Sequence, residues 1–153
     1  MKAVLQRAAR ASVTVISDDG ERSVRSIGAG LMILLGVGPE DDEKDADFLV
    51  RKIVNMRIFN DEAGKMNLSV KDRDGEILVV SQFTLYADTR KGNRPSFNYS
   101  APPDQAIPLY EYFVAEVGKA LGKTIPTGEF GAHMEVDLIN DGPVTILMDS
   151  KDK

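Results

Sequence analysis

The stretch Ser81-Gln82-Phe83-Thr84-Leu85-Tyr86 puts two aliphatic hydroxyls and an amide directly after four apolar residues, Ile77 to Val80. A strand of this kind is core material until its last residues turn polar. Where such a strand ends in a cleft, its backbone N–H groups can point at a substrate, with the small hydroxyls in support. The chemistry this suits is stabilisation of an oxyanion during acyl transfer, with N–H groups around Gln82, Phe83 and Thr84 as donors. The alternative is a strand end whose hydroxyls bond neighbouring backbone. A second stretch, Asn140-Asp141-Gly142-Pro143-Val144-Thr145, sets a Gly-Pro pair ahead of the last apolar run, a composition that by itself reads as a tight turn. A third, Asp88 to Phe97, supplies Arg90, Lys91 and Arg94 within five positions. It is either a solvated loop or a local phosphate-binding patch.

Other chemistries find less support. There is no cysteine, which removes thiolate catalysis and disulfides, and one histidine, which leaves no ordinary zinc site. Neither a metal nor a cofactor is expected. Gly118 to Thr124 approximates a phosphate-binding loop but is one residue short and follows a helical pattern, where that loop needs a preceding strand. Ser26 to Leu31 lacks the third glycine of a dinucleotide fingerprint, and Lys71 to Glu76 lacks the ligands of a calcium loop. His133 could serve Ser81 or Thr84 as a general base. Yet nothing around it resembles a nucleophile elbow, and a lone histidine beside an apolar strand is more often structural.

These residues need elements to position them. Lys2–Arg7 and Ser12–Ile16 read as two strands, and Asp18-Asp19-Gly20 as a turn into another alternating segment, which makes a hairpin. Leu31 to Leu35 is an unbroken apolar run between Gly30 and Gly36, as in a central strand buried on both faces. Ala46, Leu49, Val50, Ile53 and Val54 then fall at helical spacing behind a run of acids that suits a helix N-terminus. Arg57 to Glu76 reads as loop and short strand, closed by a turn at Asp74-Gly75. A second helix carries Ala106, Leu109, Tyr110, Phe113, Val114, Val117 and Leu121 on one face and stops at Gly122. Two strands follow, around Met134–Ile139 and Val144–Met148. Strands with two interleaved helices, and no internal repeat or linker, predict one mixed α/β domain over residues 1–153.

Composition narrows the partners. With 24 acids against 19 bases the formal charge is −5, which argues against a surface that binds nucleic acid everywhere and leaves room for a local patch. The opening residues reach Gln6 and Arg7 too soon for a signal peptide, and no apolar run has membrane-spanning length, so a cytoplasmic setting and no membrane partner are expected. The Asn67 and Asn98 glycosylation triplets then carry no meaning.

Ser81 to Tyr86 together with Asn140 to Thr145 resembles the D-aminoacyl-tRNA deacylases, also called D-tyrosyl-tRNA deacylases. The likeness extends through "MKAVLQRA", "ASVTV", "GLMILLGV", "GNRPSF" and "TGEFGAHMEVDLINDGPVTI", and so covers essentially the whole chain. The resemblance implies a layered, barrel-like sheet and a homodimer in which a cis Gly142-Pro143 reaches into the partner's pocket. There it would face Ser81, Gln82, Phe83 and Thr84. The implied substrate is an aminoacyl-tRNA bearing a D-amino acid, or glycine wrongly loaded onto alanine tRNA, and the implied outcome is ester hydrolysis. Arg7, Arg90, Lys91 and Arg94 are the expected tRNA contacts. Thr84 could attack directly, although threonine needs an adjacent base for this. Otherwise a water assisted by the ribose hydroxyl attacks, which is the preferred expectation. A metal-free esterase of small molecules and a non-enzymatic RNA-binding module remain as alternatives.

Overall fold

A computed structural model describes residues 1–153. Strand β1 (Lys2–Ile16) is its spine. The first half of β1 runs antiparallel to β3 (Gly30–Gly36), and its second half to β2 (Arg22–Ile27). Along its other edge it pairs with β7 (His133–Asp149), from Lys2↔Asp149 to Ile16↔His133. The two strands expected at Lys2–Arg7 and Ser12–Ile16 are therefore one. Ala8 pairs with Gly30 on one edge and Asn140 on the other, and Arg10 pairs with Ile139, so the strand is carried through this stretch despite the irregularity at Ala9. The two strands expected after the second helix likewise merge into β7, with a bulge between its halves.

Helices α1 (Glu43–Asn55) and α2 (Pro103–Leu121) cover one face of the sheet. Asp42 caps α1 by accepting from the backbone N–H groups of Lys44 and Asp45, and Asp45 reciprocates toward the Asp42 N–H. Gly122 ends α2 at φ 66°, the left-handed stop expected of it. Between β4 (Phe59–Asn60) and β5 (Met66–Leu68) lies a small separate hairpin. Strand β6 (Glu76–Ser81) joins β3 in parallel, Leu31↔Ile77 through Leu35↔Ser81.

Leu31, Ile33 and Leu35 face Leu49, Ile53, Phe113 and Val117 in the main core, while Met32 packs on the other face with Leu78, Val80 and Val13. Burial on both faces is what the unbroken apolar run demanded. Each such side chain contributes about 1.5–3 kcal/mol. The outcome is a stiff β3–β6 pair whose carboxyl ends lie side by side.

Candidate active site

Strand β6 stops where its polar residues begin. Gln82 N–H still donates to Leu35 C=O at 2.8 Å, but Gln82 then turns to φ −145°, ψ 83°, and Phe83–Tyr86 wind into a single 3₁₀ turn. The strand-end expectation is corrected here: Phe83, Thr84 and Leu85 lie on a turn. The first intra-turn bonds come from Leu85 N–H to Gln82 C=O, 3.3 Å, and from Ala87 N–H to Thr84 C=O, 3.1 Å. The N–H groups of Phe83 and Thr84 have no backbone acceptor, as the opening residues of any helical turn must. Gln82 Nε2 donates to Thr84 Oγ1, so that hydroxyl is oriented by an amide.

The far end of the turn is pinned by Tyr86. Its hydroxyl donates to Asp41 Oδ2 at 3.2 Å, and Asp41 also takes the Gly38 N–H at 2.6 Å. Burial pushes the Tyr86 ionisation well above the phenol range and the Asp41 charge adds to it, so Tyr86 stays a neutral donor.

Ser81, Gln82 and Phe83 line one side of a cleft of about 310 Å³; Phe130, His133 and Met134 line the other. Phe130 is a residue to which sequence reasoning assigned no role. The segment leading to it runs beside β6: Val79 N–H donates to Pro126 C=O and Gly128 N–H to Val79 C=O, both at 3.2 Å. Tyr110 packs edge-on against Phe130 with centroids 6.1 Å apart and donates its hydroxyl to Val79 C=O at 3.1 Å. Burial lifts Tyr110 to about 12. An aromatic between Gly128 and Gly131 was the available signal. His133 lines the cleft but is exposed and bonds neither Ser81 nor Thr84.

Opposite Arg7 the β1–β7 register jumps, from Gln6↔Thr145 to Ala8↔Asn140, and the extra β7 residues form an exposed lip at Gly142-Pro143. The peptide between them is cis. Asn140 brackets the lip, accepting from Val144 N–H at 2.7 Å and donating to Thr145 Oγ1 at 3.0 Å. Gly142 sits at φ 147°, where a Cβ would come within 2.8 Å of the Val144 side chain. Neither lip residue lines the cleft of its own chain.

Arg7 departs from the expectation of a phosphate contact. It is 7% exposed, and its guanidinium donates to Asp141 C=O and to Ile58 C=O, each at 2.8 Å. Its place on a central strand turns it inward, as a clamp under the lip. Arg90, Lys91 and Arg94 are exposed on a loop whose base is closed by Asp88↔Ser96. Of the three only Arg90 is ion-paired, to Asp88 at 2.8 Å.

Residues 4–149 match the family model described as D-Tyr-tRNA(Tyr) deacylase. The chain belongs to that family. Members of the D-Tyr-tRNA(Tyr) deacylase family are hydrolases, and the relatives named D-aminoacyl-tRNA deacylase match end to end. The one from Bacteroides thetaiotaomicron is 54% identical, covering 100% of this chain and 99% of its own length. That from Cytophaga hutchinsonii is 56% identical with the same coverage. Among solved structures, one titled c-Myc DNA Unwinding Element Binding Protein superposes with TM-score 0.87 at 47% identity, covering 97% of this chain and 98% of that one. A probable eukaryotic D-amino acid tRNA deacylase superposes with TM-score 0.84 at 17% identity, over 96% and 97%, and so shares the fold of this deacylase family member.

Proposed function

We propose that the protein hydrolyses the ester bond of D-aminoacyl-tRNA, and of glycine mischarged on alanine tRNA, in the cytoplasm. The observation that carries the reading is the pair of consecutive acceptor-free N–H groups of Phe83, which lines the cleft, and Thr84, which follows it on the turn and is not itself in the cleft lining. An aminoacyl ester is already activated, so it needs positioning and a partner for the charge that grows on its carbonyl oxygen. Two fixed N–H donors supply that charge partner, and losing one such donor typically costs about 10²–10³ in rate. Water adds to the carbonyl carbon, the bond to the ribose oxygen breaks, and that oxygen takes the proton. The neighbouring ribose hydroxyl assists the water. Thr84 Oγ1, held by Gln82, orients the substrate instead of attacking, because no base adjoins it.

Selectivity rests on the lip. In a homodimer, Gly142 and Pro143 of one subunit close the partner's cleft, where they fill the space an L side chain's Cβ needs. Their exposure, and their position outside their own chain's cleft, support this arrangement. So do the exposed apolar side chains of Val136, Ile139 and Leu147 along β7, which a second copy would cover. Lys91 and Arg94 remain for the tRNA phosphates, with Arg90 beside them.

The deciding experiment measures release of tyrosine from D-Tyr-tRNA and from L-Tyr-tRNA. Rapid release of the D form with the L form spared is expected. Equal rates for both, or none for either, would overturn the reading.

A further inference from the structure

Beyond the cleft the surface continues as a series of exposed flat groups. Phe83, which lines the cleft, is 53% exposed and meets Phe97 edge-on with centroids 5.1 Å apart. A turn closed by Ser100 N–H donating to Phe97 C=O, 3.1 Å, brings Tyr99 next. Arg90 stands over the Tyr99 ring at 5.9 Å from its centroid, and the ring is still 54% exposed. Hydrogen bonds tie the two groups together. Arg90 forks onto Asp88 through Nε and Nη2, each at 2.8 Å, and Nη2 also donates to the Tyr99 hydroxyl at 3.1 Å. One acid against three cations leaves Asp88 to Arg94 with a charge of +2. Scattered exposed aromatics need no explanation. Aromatics immobilised in sequence, beside cations, are how proteins hold single-stranded nucleic acid by its bases and backbone.

We propose that the Tyr99–Arg90 pair is a stacking subsite for one unpaired base, that of the nucleotide immediately 5′ to the ester-bearing adenosine. Lys91 and Arg94 meet the phosphate between the two nucleotides. The inference rests on the deacylase reading and adds a second recognition point outside the cleft. Stacking on a ring face reads no base edge, so the subsite accepts any base. Arg90, with Nε and Nη2 engaged by Asp88 and Tyr99, acts here as a stacking plane more than as a phosphate hook.

The test compares D-tyrosine esterified to adenosine with D-tyrosine esterified to cytidylyl-(3′,5′)-adenosine, as the ratio of kcat/KM for the two esters within each variant. Wild type is expected to prefer the dinucleotide by about 5- to 100-fold, the range of one stacked base, and mainly through KM. Tyr99→Ala should lower the ratio several-fold, to the part that the Lys91 and Arg94 phosphate contacts supply, and Tyr99→Phe should keep it. Fluorescence titration with unesterified cytidylyl-adenosine gives a second readout that does not pass through catalysis, and Tyr99→Ala should weaken its binding by about 5- to 100-fold. An unchanged ratio in Tyr99→Ala, or a ratio near one in wild type, overturns the subsite. Tyr99-dependent binding in a protein that leaves D-Tyr-tRNA uncleaved as well as both esters leaves the subsite standing and removes the deacylase reading.

Discussion

Arg7 Nε donates to the carbonyl oxygen of Asp141 at 2.8 Å, across 134 residues of chain, and so ties the centre of β1 to the peptide just before Gly142. The same guanidinium holds Ile58 C=O, which couples the lip to the start of the β4–β5 hairpin. A planar cation that satisfies two carbonyls in different directions cannot be replaced by a lysine's single ammonium. Arg7→Ala should lower stability by about 1.5–3 kcal/mol for each charge-assisted bond removed, read from urea unfolding. Arg7→Lys should recover little of that. In both variants the lip loosens, and L-Tyr-tRNA cleavage should rise relative to D-Tyr-tRNA. Unaltered discrimination alongside the stability loss would separate the clamp from selectivity.

Thr84→Val tests how the water is activated. The hydroxyl is already engaged by Gln82, so its removal should leave deacylation measurable and reduced, with the backbone donors intact. Complete inactivity with undiminished tRNA binding would make Thr84 the nucleophile.

A lip that rejects a Cβ has no means of rejecting glycine. Glycyl-tRNA should therefore be cleaved beside D-aminoacyl-tRNA, with L-aminoacyl-tRNA spared and the identity of the D side chain mattering little. Parallel single-turnover measurements with glycyl, D-alanyl, D-tyrosyl and L-alanyl esters check this. If wild type spares the glycyl ester, rejection does not operate by clash.

Lys91 and Arg94 stand exposed on the loop closed by Asp88 and Ser96. Substituting either by alanine should weaken tRNA binding and reduce the steepness of its salt dependence by about one counterion for each phosphate left without its cation. Filter binding across a salt series gives the slopes. Affinity independent of salt would remove the loop from the interface.

The Asp88–Arg90 fork sets a pH limit on this loop. Bonds from the Arg90 side chain and backbone hold the Asp88 carboxyl at about 2, below its ordinary 3.8. A carboxylate depressed in the folded state contributes fully above its unfolded value and is lost as pH falls through the folded one. The fork should thus persist above about pH 4 and open near pH 2. An NMR titration of the Asp88 carboxyl carbon follows it directly, and Arg90→Ala should return the midpoint toward 3.8.

Local pattern was enough for much of the fold. The helical spacing from Ala46 to Val54 and from Ala106 to Leu121 needs only its own residues, as does the Gly122 stop. Leu31 to Leu35 is so uniformly apolar that a strand with one solvated face does not suit it, and only Leu34 keeps partial exposure. The continuity of β1 could not be read this way, because Ala8 and Arg10 are held by partners more than a hundred positions away, Asn140 and Ile139.

By itself the sequence determined which segments bury and which stay polar, since hydrophobic periodicity is a property of neighbours along the chain. It also located the two stretches, Ser81–Tyr86 and Asn140–Thr145, whose polar residues the core does not need. Only the tertiary structure decided that the first ends in a 3₁₀ turn with two N–H groups open, and that Arg7 faces inward beneath the second. Those outcomes depend on register between distant strands. A cation's role follows from which carbonyls the fold brings within reach, and no local spacing carries that information.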